Sequence, residues 1–549
     1  MSLSKYVNTI RYLKFEQIFF QLKNRIDPRW WRFEKSPQLE VRDIPAVHFL
    51  EKKEKTLLKG GVFRFLNEEH RFADTGWMTA TSGTPSALWK YNQHYFDFLN
   101  QEHTPDFMDC CEEMIQNWVA ECGQDTQEIA WDAYPTSLRI VNWVKWHFQR
   151  RHLSSQAIDS LWNQGLWLET RLERHLLGNH LFANLKALVF FGIFFSDDRL
   201  VNSTVKLLKR ELDRQILGDG GHFELTPMYH SIILEDVLDV LNLALTCENR
   251  ELRETLPLIT NVAEKMCGWL TKMSHPDGDI AFFNDAALKI APRPMEILNY
   301  AARLGLKMTP ETSATYEGVT VENMSASGYI KVGTSEFSAI LDVARVGPTY
   351  IPGHAHADTL SFELACCNQR VFVNSGISTY EIGTTRQFER STKAHNTVVV
   401  DDADSSHVWA AFRVAKRAVP IGLEIQKSLN CVTVQCGHNG YQTTRKKRLH
   451  HRTWQIRPSQ MVIRDSVIGL HHSAVAMFYI HPDVLLKRLT SSAFVLEMPN
   501  RFEIEIQVQI GIAEIQPFVF RPEMGRGVDS RCLSITLERG KSAVAINFQ

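Results

Sequence analysis

The sequence predicts a multi-domain α+β protein in which a helical amino-terminal half precedes an antiparallel β-sandwich. Its 549 residues exceed what one ordinary core holds and suffice for two or three domains. Between residues 91 and 306 apolar side chains recur at helical spacing, as in Leu234, Val237 and Leu238. After Met324 the chain changes to short runs of β-branched and aromatic residues, broken by glycine, asparagine and aspartate.

These patterns divide the chain into a helical extension (1–60), a helical domain (61–310) and a sheet domain (318–549), with a linker at 308–317. The first 27 residues interleave Tyr, Leu and Phe with Lys and Arg. This is typical of an amphipathic helix that packs on the protein body or contacts a membrane surface. The clearest strand patterns lie at 337–343, 371–373, 397–400, 431–434, 461–463 and 504–510.

The composition is that of an ordinary globular protein. With 44% apolar residues, 22% charged residues and a net charge of −1, the chain is neither disordered nor suited to bind polyanions through its overall charge. We expect no nucleic-acid partner, because the basic run at 445–448 is explained by solvated strand ends. The ten cysteines include adjacent pairs at 110–111 and 366–367 but no Cys-x-x-Cys, which predicts reduced thiols.

The amino-terminal sequence lacks the basic-then-apolar order of a signal peptide. Its apolar stretch around residues 18–20 is far too short for a membrane span. We therefore expect a cytoplasmic protein without a transmembrane segment, with a periplasmic or surface-associated protein as the alternative.

The sequence GHAHAD at residues 353–358 alternates two imidazoles and a carboxylate with alanines. An extended backbone would place His354, His356 and Asp358 on one face. Such side chains bind a borderline metal or transfer a proton near neutral pH, whereas a single histidine is more often structural. The alternation continues into Leu360 and Phe362, so we expect the cluster where a polar cleft meets an apolar core.

A second cluster is GNHLFAN at residues 178–184, which leads into a helical run. On a helix His180 and Asn184 share a face one turn apart. Asn179 suits a helix cap, and capping is the alternative to a role in a functional site.

Two more clusters contain candidate site residues. A glycine turn and Pro227 precede a helix that opens with Tyr229 and His230. A phenol transfers protons near neutral pH only when its environment shifts its pKa, so a catalytic Tyr229 needs partners such as His180 or His354. The alternative is a structural tyrosine that is buried with its hydroxyl hydrogen-bonded. Residues 386–397 place three cations before a strand, where Arg390 suits a carboxylate or a sulfate unless the loop is simply solvated.

Five ordered motifs resemble those of the heparinase II/III-like polysaccharide lyases, at residues 91–97, 178–184, 220–230, 353–358 and 394–397. The resemblance spans most of the chain and is greatest with members encoded beside capsule and surface-polysaccharide genes. It implies an incomplete (α/α) toroid followed by an antiparallel β-sandwich, with an acidic polysaccharide in the cleft between them. The patterns leave the sulfation of the substrate and the oligomeric state open.

The resemblance further implies β-elimination at a uronic acid. Asn179, His180 and Asn184 would neutralise the carboxylate. Tyr229 would be the acid and a second candidate for the base, and His354 would be the opposing base. A well-placed donor to the developing oxyanion contributes roughly 3–4 kcal/mol. The expected substrate contacts are Tyr91, Asn92, His94, Asn184, His230 and Arg390.

Some relatives hold a metal on three residues that here are His356, Asn374 and His395. Asn374 stands where those relatives have aspartate, and an amide oxygen is a weaker ligand than a carboxylate, so metal binding is less favourable unless Asp358 or Asp402 substitutes. A structural zinc or another divalent metal is therefore one candidate cofactor. The alternative is a hydrogen-bonded cluster that braces the sandwich against the cleft.

Two rival functions remain open from the sequence. A glycoside hydrolase on the same toroid would need two carboxylic acids across the scissile bond. The available carboxylates form no recognisable pair; they are Glu224, Asp277, Asp279 and Asp285. A non-catalytic binding or assembly protein would retain glycan affinity without Tyr229 and His354.

Overall fold

The computed structural model describes residues 3–26, 31–37, 41–42, 44, 49–50, 54–78, 83–102, 104–126, 128–307, 314–443 and 447–548. Its α-helices are α1 Leu3–Ile10, α2 Phe15–Ile26, α3 Phe72–Thr75, α4 Ala87–Gln93, α5 Pro105–Glu121, α6 Ala133–Gln149, α7 Ser155–Thr170, α8 Gly178–Phe194, α9 Asp198–Gln215, α10 Pro227–Thr246, α11 Arg250–Arg253, α12 Leu256–Lys272, α13 Pro294–Arg303 and α14 Thr384–Arg390. Short 3-10 helices occupy Asp97–Asn100, Ile129–Trp131 and Thr392–Ala394.

The strands concentrate in the second half of the chain. They are β1 Leu57–Leu58, β2 Val62–Phe65, β3 Glu68–Arg71, β4 Ala314–Tyr316, β5 Val319–Met324, β6 Tyr329–Gly333, β7 Phe337–Asp342, β8 Phe362–Cys366, β9 Gln369–Phe372, β10 Val398–Val400, β11 Val408–Trp409, β12 Arg413–Val414, β13 Pro420–Ser428, β14 Cys431–His438, β15 Leu449–Arg457, β16 Gln460–Ile468, β17 Ala474–Tyr479, β18 Leu485–Arg488, β19 Ala493–Glu497, β20 Glu503–Ile510, β21 Ile512–Glu523, β22 Arg526–Thr536 and β23 Lys541–Phe548.

The helical domain has an inner layer of long helices, α6, α8 and α10, and an outer layer that includes α7, α9 and α12. Every residue of α8 except His180 is buried, as expected for a helix surrounded by protein on all sides. Helix α9 instead buries one stripe, which includes Leu200, Val205 and Leu212, and exposes its polar face. Short loops make consecutive helices antiparallel, which gives the paired inner and outer helices of an (α/α) toroid.

The carboxy-terminal half is an antiparallel β-sandwich. A six-stranded sheet in the order β4-β5-β6-β7-β8-β9 packs on an eight-stranded sheet in the order β13-β14-β15-β16-β23-β20-β19-β18. Phe337 of β7 stacks on Phe548 of β23 with ring centroids 4.2 Å apart, and Phe362 and Trp454 share the apolar core between the sheets. A four-stranded sheet in the order β10-β17-β22-β21 adjoins them.

All six predicted strand patterns overlap observed strands, namely β7, β9, β10, β14, β16 and β20. The predicted linker differs, because β4 begins at Ala314 and joins the six-stranded sheet, while residues 308–313 lie outside the described part of the chain. Residues 445–446 of the basic run also lie outside it. The small sheet β1–β3 had no distinct sequence signal, and the domain boundaries themselves stay predictions.

The first two helices pack over the junction of the two large domains. Gln17 donates to the carbonyl oxygen of Tyr350 (3.3 Å), and Trp409 donates to the Thr9 hydroxyl (3.3 Å). On the other side, Asn24 contacts His175 of the helical domain (3.1 Å). Helices α1 and α2 thus tie the helical domain to the sandwich.

None of the described helices combines the length and apolarity needed to cross a membrane. All ten cysteines are free thiols, as the spacing predicted, and eight of them are buried.

Candidate active site

A cleft of about 1130 Å³ lies where the toroid meets the sandwich. It is lined by the start of α8, by α10, by the 350–354 loop and by α1 and α2. Of the residues predicted for the site, the cleft brings together Tyr91, Asn92, Asn179, His180, Tyr229 and His354. A second cavity of about 1020 Å³ within the sandwich contains none of the predicted site residues.

Tyr229 and His354 meet face to face in this cleft although they come from different domains. Their ring centroids are 3.9 Å apart and the rings are inclined by 28°. Tyr229 is fixed by the start of α10, where the Thr226 hydroxyl accepts the Tyr229 backbone N–H (3.0 Å) and Pro227 occupies the first turn. The Tyr229 hydroxyl is 3.1 Å from that of Tyr380.

The carboxylate of Asp285 holds His354 in position. His354 Nδ1 lies 2.9 Å from Asp285 Oδ2, and His356 Nε2 lies 2.8 Å from Oδ1. Burial would raise the pKa of Asp285, but the Arg386 guanidinium and the imidazole donors hold it well below its usual range. An ionised carboxylate accepts hydrogen bonds only, so His354 Nδ1 carries a proton and, in the neutral ring, Nε2 keeps its lone pair.

Tyr229 is a proton donor in the free protein. Burial, followed by the neighbouring Tyr380 hydroxyl and the Asp285 and Glu224 carboxylates, raises the pKa of Tyr229 well above its ordinary value. The phenol is therefore protonated at neutral pH. The stacked pair supplies one acid, Tyr229, and one base, the Nε2 atom of His354.

His180 and Asn179 form the opposite wall. His180 Nδ1 lies 3.0 Å from Glu173 Oε1, while 34% of the His180 side chain remains exposed. Burial lowers the pKa of His180, but the Glu173 carboxylate outweighs burial and the net shift is upward. Asn179 donates through Nδ2 to Glu224 Oε1 (3.0 Å).

The turn before α8 explains the glycine of this motif. Leu177 and Gly178 have φ angles of 65° and 57°. A Cβ at Gly178 would lie 2.8 Å from Glu224 Oε1 and 2.9 Å from Ile351 Cδ1. Glycine therefore allows Asn179 and His180 to approach the cleft.

Four predicted substrate contacts lie behind the cleft wall, with their polar atoms bonded to protein. Asn184 donates to Glu173 Oε2 (3.0 Å) and so supports the partner of His180. His94 contacts the Met78 carbonyl oxygen (2.9 Å), and His230 contacts that of Met266 (3.0 Å). Arg390 donates to the carbonyl oxygen of Ala355 (2.9 Å) and is fully buried. The motifs identified these residues, but burial removes them from direct contact with a ligand.

The predicted metal ligands do not fit a closed four-ligand zinc site. His356 Nδ1 and His395 Nε2 face each other at 3.1 Å. Asn374 directs its Oδ1 to the backbone N–H of Asn396 (3.0 Å). Among the described residues no group of three His, Cys, Asp or Glu side chains is arranged to hold a metal. Burial lowers the pKa of His356 to about 4, and the guanidiniums of Arg386 and Arg390 add to this effect although the Asp285 carboxylate opposes it. The same guanidiniums would repel a divalent cation.

Sequence reasoning missed the supporting roles of Asp285, Glu224, Glu173 and Tyr380. Asp285 and Glu224 were visible only as candidate hydrolase carboxylates. Tyr380 follows β9 in a loop without a motif, so no sequence signal marks it.

The structure defines a two-domain architecture, a helical toroid joined to an antiparallel β-sandwich, with a tyrosine and a histidine stacked at the junction. The family model "Heparinase II/III N-terminus" matches residues 106–308, and "Heparinase II/III-like, C-terminal" matches residues 318–547. The chain belongs to the heparinase II/III-like family, which confirms the prediction from its motifs.

Two relatives are described as heparin-sulfate lyases. The one from Bacteroides stercoris is 28% identical over 330 residues, and the one from Pedobacter heparinus is 23% identical over 270 residues. The alignments cover 56% and 45% of this chain but 46% and 39% of those relatives. The chain is therefore matched to less than half the length of either protein.

Solved structures share the architecture. A heparinase III structure superposes with a TM-score of 0.65 at 16% identity, covering 84% of this chain and 76% of the other. Heparan sulfate lyase HepC from Pedobacter heparinus, as a mutant, gives a TM-score of 0.59 at 14% identity, covering 97% and 87%. At these identities the likeness confirms the predicted toroid and sandwich fold.

Proposed function

We propose that the protein is a polysaccharide lyase that cleaves a uronic-acid-containing polysaccharide by β-elimination. The observation that carries the proposal is the stack of Tyr229 on His354, with Asp285 fixing the proton of the imidazole. The two heparin-sulfate lyases among the relatives support the same reaction class. A role in capsular or other surface-polysaccharide metabolism, in the cytoplasm, completes the proposal and rests on the sequence alone.

The proposed reaction uses a base and an acid whose rings are stacked on each other. His354 Nε2 takes the C5 proton, the C–H electron pair forms the C4–C5 double bond, and the C4–O bond breaks. Tyr229 gives its hydroxyl proton to the departing oxygen. Each positioned proton transfer contributes about 10²–10⁴-fold. Loss of a proton from His354 to solvent and uptake of one by Tyr229 restore both groups.

The substrate carboxylate must be neutralised for the C5 proton to become acidic. His180 suits this role, because Nδ1 is engaged with Glu173 and Nε2 remains for the substrate. Its raised pKa favours the charged donor. Asn179 lies beside it, and one well-placed donor of this kind stabilises the developing oxyanion by roughly 3–4 kcal/mol.

The hydrogen-bond partners of Asp285 and Glu224 argue against a glycoside hydrolase. Asp285 is bound by Arg386 and two imidazoles, and its pKa is depressed, so it is no general acid. Glu224 accepts from the backbone and side chain of Asn179 and is 1% exposed. Neither carboxylate is poised across an open space for a sugar.

We also propose that His356 and His395 form a hydrogen-bonded brace rather than a metal centre. The support is that His356 Nε2 donates to Asp285 Oδ1 (2.8 Å) and His395 Nδ1 donates to the carbonyl oxygen of Ser391 (2.8 Å), while Asn374 is engaged by the backbone. The proposed reaction steps use only side chains of this chain.

The test is ultraviolet absorbance of the conjugated double bond during incubation with a panel of uronate polysaccharides. We expect absorbance to grow with the wild type and to vanish with Tyr229→Phe, since the ring remains and only the proton donor is removed. Tyr316→Phe, on β4 and outside the cleft, is the matched control and should retain activity.

Cleavage without the chromophore would contradict β-elimination and favour hydrolysis. If no bond were cleaved in any glycan, yet glycan affinity survived in Tyr229→Phe, a binding or assembly role would replace the lyase.

A further inference from the structure

Helix α2 packs on the protein with its polar side and turns its apolar side to solvent. Gln17, which is 5% exposed, donates to the Tyr350 carbonyl oxygen (3.3 Å), and Asn24 contacts His175 (3.1 Å). A surface helix of a globular domain normally buries its apolar side instead. The packing of α2 therefore leaves its apolar side uncovered by the described residues.

The apolar side of α2 forms a continuous stripe along the helix. Its members are three or four residues apart, which keeps them on one face of a helix with 3.6 residues per turn. Between 37% and 83% of each member is exposed, and the members are Phe15, Ile18, Phe19, Leu22 and Ile26. The rings of Phe15 and Phe19 stack with centroids 6.3 Å apart. A contiguous exposed apolar surface of this kind marks an interaction site.

Two cations border this stripe, one on each side. At 3.6 residues per turn, Lys23 lies about 80° to one side of Phe15 and Arg25 lies about 80° to the other. Both cations are exposed, and among the described residues neither forms an ion pair. The one carboxylate of α2, Glu16, faces Arg174 at 3.7 Å. The stripe thus has an apolar centre and a positive border.

The charge of the first 26 residues differs from that of the whole chain. This segment contains five Lys or Arg and one Glu, whereas the complete chain has a net charge of −1. The excess of cations is therefore local to the two helices that carry the stripe. A local excess of this kind attracts an anionic surface over about one Debye length.

An anionic lipid surface fits the stripe better than a second protein does. An interfacial helix lies in the membrane plane with its apolar side about 5–10 Å deep and its Lys and Arg side chains at the headgroups. The 12 residues of α2 span about 18 Å, so at a helix width of about 10 Å the stripe offers roughly 200 Å². A stable protein interface buries about 800 Å² per partner. The stripe is too small for such an interface.

We propose that α2 docks the protein on a membrane surface that contains anionic phospholipid. The helix axis lies parallel to the surface, the stripe enters the acyl chains, and the lipid phosphates meet Lys23 and Arg25. The opposite side of α2 lines the cleft through Gln17, Gln21 and Asn24. A docked membrane therefore lies about one helix diameter, about 10 Å, from the cleft. This attachment does not depend on the reaction proposed for the cleft.

The test is flotation of the full chain with lipid vesicles, made either of phosphatidylcholine alone or of phosphatidylcholine and phosphatidylglycerol in equal amounts. We expect the wild type to bind the anionic vesicles at least about tenfold more tightly than the neutral ones. Phe15→Ser combined with Phe19→Ser should weaken binding to the anionic vesicles by at least about tenfold, because two apolar side chains leave the bilayer. Leu429→Ser combined with Leu470→Ser, at exposed apolar positions outside the strands, is the matched control and should bind like the wild type.

The positive border is tested separately by Lys23→Gln combined with Arg25→Gln. This variant keeps the stripe and should lose most of the preference for anionic vesicles, since each cation near the surface contributes about fivefold. Circular dichroism verifies folding of both double variants. The border variant decides the proposal if the stripe variant is unstable.

Three results would overturn the proposal. The first is a wild type that fails to float or that binds both kinds of vesicle equally. The second is a stripe variant, Phe15→Ser with Phe19→Ser, that is folded and binds like the wild type. The third is a wild-type dimer in analytical ultracentrifugation without lipid that the stripe variant converts to a monomer, because a second copy of the chain would then cover the stripe.

Discussion

The carboxylate of Asp285 determines which nitrogen of His354 carries a proton. Its ion pair with Arg386 keeps it charged, and its two oxygens receive both His354 and His356. A histidine that is hydrogen-bonded in this way can present only Nε2 to a ligand. In the proposed reaction Asp285 is therefore a positioning residue, because it would act through His354.

We predict that Asp285→Asn lowers kcat by about 10²–10⁴-fold, because an amide can donate to Nδ1 and so move the His354 proton to Nε2. The direct measurement is the ¹⁵N NMR signature of the His354 ring, which distinguishes the two tautomers. The wild type should show a protonated Nδ1, and the variant should lose that state.

Asp279→Asn is the control for this substitution. Asp279 lies nearby in the chain but pairs with Arg293 at the surface, so both activity and tautomer should be unchanged. A wild-type tautomer in Asp285→Asn together with full activity would contradict the positioning role.

Local motifs predicted Tyr229, His180 and His354, which the folded chain brings to one cleft, because each follows a turn or helix start that is visible in the sequence. They could not identify Asp285 as the partner of His354, since 69 residues separate the two and only the folded chain brings them together. Motifs also overstated the site. Asn184 and His94 belong to the same patterns as the cleft residues, yet their side chains point into protein.

The inner helices are joined by buried charges as well as by apolar packing. Lys186 of α8 binds Asp236 and Asp239 of α10, and Lys145 of α6 shares Asp239. The Tyr300 hydroxyl of α13 donates to the same carboxylate (3.1 Å). This network links four helices around the cleft floor.

We predict that Lys186→Met lowers the free energy of unfolding by about 3–5 kcal/mol, because it leaves buried carboxylates without their cation. Urea denaturation monitored by tryptophan fluorescence measures the loss. Lys209→Met on α9 is the matched control. Its partner Glu251 is partly exposed, and removal of such a pair should cost at most about 1 kcal/mol. A similar loss in both variants would contradict the importance of the buried network.

Hydrophobic periodicity in the sequence identified the strands themselves better than the neighbours with which each strand pairs. The strand patterns at 461–463 and 504–510 fall in β16 and β20, but both strands pair with β23 near the end of the described chain. Alternation specifies which face of a strand is buried and does not specify its neighbour. No sequence pattern indicated β1–β3, whose strands of two to four residues are too short to show a period.

The cluster of His356, His395, Asp285 and Arg386 connects the sandwich with the loop that follows α12. Arg386 donates to both oxygens of Asp285 at 2.5 and 2.7 Å, so a guanidinium supplies the positive charge in this cluster.

We predict that a chelator leaves the thermal unfolding midpoint unchanged and that elemental analysis finds zinc well below one ion per chain. A metal held only by the folded protein would stabilise it, so its removal would lower the midpoint. His481→Ala, at a partly buried histidine outside the cluster, is the control for any general loss of metal-binding imidazoles. Stoichiometric zinc that His356→Ala abolishes and His481→Ala retains would refute the hydrogen-bonded brace.

Helices α1 and α2 are made early in synthesis, yet they rest on Tyr350 and Trp409. At a ribosomal rate of about 5–20 residues per second, Tyr350 and Trp409 are synthesised on the order of 20 to 80 seconds after helices α1 and α2. The eight-stranded sheet closes later still, because β23 lies between β16 and β20. The cleft therefore lacks part of its lining, which includes Phe412 and Met524, while most of the chain is being translated.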